Sequence, residues 1–412
     1  MSDDPIVISG AIRTPMGGMM GSLSAMTASE LGALSIGQTL AASGIAPDAV
    51  DEVIMGNVLG AGQGQAPARQ AALGGGLPTR VSCLTINKMC GSGMKAVMLG
   101  HDLLKAGSIQ SAVVGGMESM TNAPYLMPKG RMGYRFGHAE LLDHMALDGL
   151  EDAYEKRTPM GEFAERTVES YGFTREDQDA FAIESLRRAR EANEDGTFGS
   201  EVIAATIKGR KGDVTVEQDE QPFKSDPSKI PSLRPAFRKD GTISAATASS
   251  ISDGAASMLL TRQSKAESLG LKPVARILGH ASHARTPAEF TIAPVHAIRS
   301  LLDQLSWSAG DVDLWEVNEA FAVVAMAAMK DIGIPHDKLN VHGGACALGH
   351  PIGASGARIP VTLLNAMEKF RAQRRVASLP ALFTLPLCPH TDTCGSISAP
   401  CLCIHSTRVY YT

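Results

Sequence analysis

The sequence predicts an α/β protein built on a parallel sheet with helices on both faces. Two observations carry this. Short strands alternate with helical segments through most of the chain, and the strands are continuous apolar runs, without the period of two that a half-exposed strand shows. A third is a faint internal repeat. Cys90 in a glycine loop, a helix and the strand SAVVGGMES in the first half answer to GHPIGASGA, a helix and the strand RRVASL in the second. Cys90 to Val113 spans 23 positions and His350 to Val376 spans 26, so two such halves would bring both glycine loops to one cleft.

The opening run PIVISG reads as a buried strand ended by Gly10 and Pro15. TASELGALSIGQTLAASG has helical spacing, a cap at Thr27 or Ser29 and a stop at Gly44. DEVIMG returns to strand, LTINKMCGSGMKAVMLGHDLLKAG gives strand, glycine turn and helix, and QSAVVGGMES gives strand again. From about Met120 to Thr242 the rhythm breaks into amphipathic helices (TREDQDAFAIESLRRAREANED) and the charged run KGRKGDVTVEQDEQPFK, which reads as an insertion with a solvated face. Alternation resumes at SDGAASMLLTR and continues through VDLWEVNEAFAVVAMAAMKDIG.

With 412 residues the chain has room for two or three domains and a large core. Lys+Arg 38 against Asp+Glu 43 gives a net charge of −5, which argues against a broadly basic nucleic-acid surface. No apolar run approaches the roughly 18 residues of a membrane span, and the acidic start MSDDPIVISG is unlike a signal or transit peptide. The seven cysteines, odd in number, fit reduced thiols in a cytoplasmic setting, and no C-terminal SKL is present. Four of them (Cys388, Cys394, Cys401, Cys403) crowd the last 33 residues, which hold four prolines and only two charges.

Three residues stand out chemically. Cys90, between a strand and a helix, is either a nucleophile favoured by the helix N-terminus or an inert buried thiol. His350, before a proline and among glycines, is a base on a tight loop or a histidine bonded within a turn. Asn318, beside Glu319 at a strand-to-helix junction, is an orienting group or an N-cap. GAGQGQAPARQ misses the dinucleotide fingerprint because Gln65 replaces its third glycine. The tail cysteines, with His390 and His405, lack paired metal-ligand spacing, so no metal site is expected.

The motifs AIRTPMG, GQGQAPARQAAL, NKMCGSGMKAV, VVGGMESMTNAPY, KGRKGD, RPAFRKDGT, ASSISDGAA, NEAFA and GGACALGHPIGASGAR resemble thiolases in order and spacing, over about residues 5–379. They look most like the acetyl-CoA C-acetyltransferase branch. The resemblance implies two pseudo-symmetric βαβαβαββ halves in a five-layered sandwich with an inserted loop domain. The expected division is 1–119 and 243–278 for the first half, 120–242 for the insert, 279–379 for the second half, and 380–412 as a divergent tail.

By the same resemblance Cys90 takes an acetyl group from acetyl-CoA, His350 activates it, and Asn318 holds a water that completes an oxyanion hole. Ser249 would touch the pantetheine arm of coenzyme A. Met160, Leu150 and Phe237 would line its tunnel, Phe321 would close the small acyl pocket, and FTIAP from Phe290 points to short acyl chains. Acetyl-CoA, acetoacetyl-CoA and CoA are the implied partners in a homo-oligomer (dimer or tetramer), with no permanently bound cofactor and no membrane. Thr247, Pro159 and His342 depart mildly from the family pattern. The severe departure follows RRVASL, where thiolases carry a second, acid/base cysteine and a glycine triplet. Here Pro380 stands instead, with neither a titratable group nor an N–H, and Cys388 comes eight residues late. Pro380 and Pro386 also suit a central strand poorly. Impaired condensation is therefore expected. The alternatives are a non-catalytic CoA-ester-binding or assembly subunit and a longer-chain 3-ketoacyl-CoA thiolase.

Overall fold

Strand β1 (Ile6–Arg13) shows why its apolar run is unbroken: Ile6 and Ile8 enter one core while Val7 enters another on the opposite face. The computed structural model describes residues 4–210, 212–379 and 383–389. In the first half, β1 is followed by α1 (Ala28–Ser43), β2 (Glu52–Gly56), α2 (Pro67–Gly74), β3 (Ser82–Ile86), α3 (Ser92–Ala106) and β4 (Ser111–Ser119). The insert contributes α4 (Met160–Tyr171) and α5 (Arg175–Glu194), and β5 (Ser252–Arg262) then completes the half. The second half runs β6 (Ala275–Ile277), α6 (Ala293–Leu305), β7 (Leu314–Val317), α7 (Ala322–Ile332), α8 (Ile352–Phe370), β8 (Arg375–Leu379) and β9 (Phe383–Pro389).

The hydrogen-bonded order is β7-β8-β9-β6-β1-β5-β4-β2-β3. Only β2, β3 and β4, and β7 with β8, run parallel; β1, β5, β6 and β9 pair antiparallel. The expectation of a parallel sheet is thus corrected to a mixed one. The apolar runs were a sign of burial on both faces, and β5 is as buried as a parallel strand although it runs the other way.

The layers follow from three cores. Leu31, Ile36, Val53, Val113 and Leu259 fill the space under α1. Ile54, Val114, Met258, Met94, Val97, Ile359 and Leu379 fill the middle around α3 and α8, and Ile298, Trp315, Val324 and Val376 fill the far side under α6 and α7. Helices, sheet, helices, sheet, helices make five layers. Helix α1 starts where expected, with Thr27 and Glu30 in a capping box worth about 1 kcal/mol, and ends on Gly44 at φ 74°. Helices α3 and α8 touch backbone to backbone: a Cβ on Gly93 would lie 2.6 Å from Ala357 N, and one on Gly356 2.4 Å from Met94 N.

Pro386 lies inside β9, against expectation. Val376 of β8 pairs with it on one side; on the other, pairing stops at Ile277 with Leu387 and resumes at Ala281 with Thr384, a gap in which no residue pairs with Pro386. Pro380 lies outside the described residues. Among the described residues no helix is long and apolar enough to cross a membrane.

Candidate active site

Cys90 sits in a tight turn between β3 and α3. Met89 adopts φ 50° there, Asn87 Oδ1 takes the Met89 N–H at 3.0 Å, and Ser92 Oγ takes the Lys88 N–H at 2.8 Å and donates to Met89 O at 2.6 Å. A left-handed non-glycine residue is costly and is held here by these bonds. The turn seats Cys90 on an apolar cluster of Val58, Leu59, Met120, Met145 and Ile352, which Leu150 and Ile251 also join. Ile352 opens α8, two residues after His350. The glycine loops of the two halves therefore meet at Cys90, as the repeat predicts.

His350 is buried, and its backbone N–H reaches Ser250 O and Ser252 Oγ, both at 3.1 Å. Its Nδ1 lies 2.6 Å from Ser355 Oγ, which donates its single proton to Pro351 O at 3.1 Å. The hydroxyl therefore accepts from Nδ1–H, leaving the Nε2 lone pair bare, and among the described residues Nε2 has no partner. Burial, aided by Arg358, pushes the imidazole down to about 3, so it is neutral at physiological pH.

Asn318 follows β7, its N–H bonded to Ser378 O at 2.9 Å. It is not an N-cap, because α7 begins only at Ala322 behind Phe321. Both its Oδ1 and Nδ2 are buried without a partner among the described residues. Ser249 connects this segment to the histidine: its N–H donates to Ala320 O at 3.0 Å, and the next residue, Ser250, receives the His350 N–H.

The remaining expected residues form one wall. Phe321 meets Phe237 edge-on at 5.7 Å and Phe290 at 6.4 Å, and Met160 packs into the same core. Gly161 is required beside them, since a Cβ there would lie 2.3 Å from the Phe237 ring. Leu150 stands apart from this group, on the Cys90 cluster.

Two acids take roles that the sequence alone did not assign. Glu118, fully buried at the end of β4, accepts N–H groups from Val58 (2.9 Å), Leu59 (3.2 Å) and Gly353 (3.0 Å) and the Asn57 amide (2.8 Å). Burial raises it to about 7 against the pull of those bonds. Glu319 holds Ser185 Oγ and Asn340 Nδ2 at 2.8 Å and the Cys346 N–H at 3.1 Å, pinning the loop that leads to His350. The signal was available: Glu118 is the one charged residue in the apolar run SAVVGGMES.

At Cys90 burial competes with the helix N-terminus. Burial, reinforced by Glu118 and only partly offset by its own backbone N–H, pushes the Cys90 thiol up to about 12. The helix N-terminus alone does not make it a thiolate, so a base must receive its proton.

The thiolase N-terminal domain model matches residues 6–264, and the thiolase C-terminal domain model matches residues 271–381. The chain belongs to the thiolase family. It is 47% identical to an acetyl-CoA acetyltransferase of Pseudomonas aeruginosa over 376 residues, 91% of this chain and 95% of that one. It is also 47% identical to acetyl-CoA acetyltransferase 2 of Arabidopsis thaliana over 88% of this thiolase and 91% of the relative. A crystal structure of Acat5 thiolase from Ascaris suum in complex with coenzyme A superposes with a TM-score of 0.89 at 39% identity, covering 94% of this chain and all of that one. The thiolase fold expected from the motifs is thereby established.

Proposed function

We propose that this thiolase transfers two-carbon acyl units between coenzyme A thioesters as an acetyl-CoA C-acetyltransferase. Cys90 attacks acetyl-CoA, its proton passes to His350 Nε2, and CoA leaves as the thiol while an acetyl thioester forms on Cys90. A second acetyl-CoA gives up an α-proton to a solvent base, its carbon attacks the acetyl-cysteine carbonyl, acetoacetyl-CoA departs, and the Cys90 thiolate takes a proton back from solvent. Thiolysis is the reverse. The observation that carries this reading is the trio of buried polar atoms, His350 Nε2 and both amide atoms of Asn318, that have no partner among the described residues. Leaving such atoms unsatisfied is costly, and a bound thioester with a water on Asn318 satisfies them. The names of the relatives support the same reaction.

The aromatic wall of Phe237, Phe290 and Phe321 favours the short chain over a longer-chain 3-ketoacyl-CoA thiolase. Coenzyme A esters are the substrates and no resident cofactor takes part. The working form is a homo-oligomer, dimer or tetramer, in the cytoplasm.

Pro380 divides the reaction. Without the second cysteine nothing at that position takes the α-proton, which costs about 10²- to 10⁴-fold. Loss of a glycine N–H costs a further factor of about 10²–10³, not fully additive. The protein accordingly acetylates Cys90 but condenses slowly. Mass spectrometry after incubation with acetyl-CoA tests the first half: an acetyl group on the Cys90 peptide is expected, and its absence would leave the non-catalytic CoA-ester-binding or assembly subunit as the reading. Ordinary enzyme turnover of acetoacetyl-CoA would refute the impairment.

A further inference from the structure

His101 and Asp102 lie in the later turns of α3, and His280 lies in the gap between β6 and the two-residue strand Ala281–Ser282. At 1.5 Å per residue His101 stands roughly 14 Å along α3 from the end that carries Cys90, outside the site described above. Both imidazoles converge on one carboxylate oxygen. His101 Nδ1 is 3.1 Å from Asp102 Oδ1 and His280 Nε2 is 2.7 Å from the same atom. The rings meet edge to face at 5.2 Å, and all three ligand atoms lie within 4.8 Å of one another.

We propose that His101, Asp102 and His280 bind a divalent transition ion of the zinc(II) or copper(II) kind. Two imidazoles and a carboxylate are the donors such ions take. Tetrahedral bonds of about 2.1 Å would set the ligand atoms about 3.4 Å apart, against the present contacts of 3.1 Å and 2.7 Å. Asp102, with its side chain 51% exposed, has room to turn by that much and leaves a fourth position for water. Each imidazole nitrogen that now shares a proton with the carboxylate would offer its lone pair instead, the ring proton shifting to the other nitrogen.

The surroundings suit this exchange. His101 is buried, His280 half-buried and Asp102 exposed, so an ion can reach the three from solvent. Lys105, one turn further along α3, acts on His101 as an opposing positive charge. Two of the three donors are imidazole nitrogens and only one is a carboxylate, so affinity must come from nitrogen coordination rather than from a set of oxygen ligands. That selects zinc(II) or copper(II) over magnesium or calcium. Because Ala281 pairs with Thr384 of β9, the ion would clamp the central helix of the first half to the sheet of the second.

The full chain, freed of metal by a chelator, is titrated with zinc chloride by calorimetry, and its melting temperature is followed. One equivalent binding more tightly than about 10 μM is expected. Melting should rise by several degrees with zinc and stay unchanged with magnesium or calcium. His280→Ala should lose at least tenfold in affinity, and so should Asp102→Asn, which keeps the shape of the carboxylate. Cobalt(II) absorption provides a check that needs no variant: a tetrahedral spectrum without thiolate charge transfer supports the site. Thiolate bands, binding unchanged in both variants, or no binding below about 100 μM would overturn it.

Discussion

Glu118 Oε2 accepts the Gly353 N–H at 3.0 Å, tying the end of β4 in one half to the first turn of α8 in the other. The same oxygen takes the Val58 N–H at 2.9 Å. One carboxylate therefore fixes the wall beneath Cys90 and the helix that follows His350.

Replacing it tests that arrangement. Glu118→Gln loses acceptor capacity at buried N–H groups and should destabilise the fold by about 1–3 kcal/mol in chemical denaturation. It should slow acetylation of Cys90 more than alkylation by iodoacetamide, because only acetylation depends on alignment with His350. Equal changes in both would show that Glu118 acts on the thiol alone.

The raised Cys90 thiol sets a pH profile. Below about 12 the thiol form dominates, so each unit of rising pH increases the thiolate about tenfold. Iodoacetamide alkylation should climb steadily from pH 6 to pH 9. A plateau near neutrality would reveal a thiolate–imidazolium pair instead.

Asn318→Ala removes two polar atoms without touching the Asn318 N–H bond to Ser378. Condensation and thiolysis should each fall about 10²- to 10³-fold, with Cys90 acetylation reduced less than tenfold. Parallel losses in both steps would mean that the amide serves the first thioester as well.

Strand register separates Cys388 from the chemistry. Leu379 pairs with Phe383 at the site end of β8, whereas Cys388 lies beyond the pairing of Arg375 with Leu387 at the other end. Five residues of strand carry it roughly 17 Å away. Cys388→Ser should leave the residual acetoacetyl-CoA activity unchanged, while a loss beyond threefold would make that thiol a participant. Pro380→Cys should raise condensation about tenfold or more, measured as acetoacetyl-CoA formation.

Much of this was legible in the chain. The Thr27 cap, the Gly44 stop and the positions of Cys90 and His350 ahead of matching helices all follow from local chemistry, which a linear sequence displays directly. Strand direction was not legible, because burial on both faces gives β4 and β5 the same apolar appearance whichever way they run. Nor was the role of Ser355, whose contact with His350 depends on the first turn of α8 folding back. Pro386 was misjudged because the gap that accommodates it belongs to residues 278–280, more than a hundred positions earlier.

The contact between α3 and α8 has a consequence for how far this protein can drift. Gly93 and Gly356 meet the opposing backbone where even a methyl group would collide. Nucleophile and base each stand just ahead of one of these helices, so their spacing is set by two absent side chains rather than by any bond between them. An alanine at Gly93 or at Gly356 would push the two helices, and with them nucleophile and base, apart.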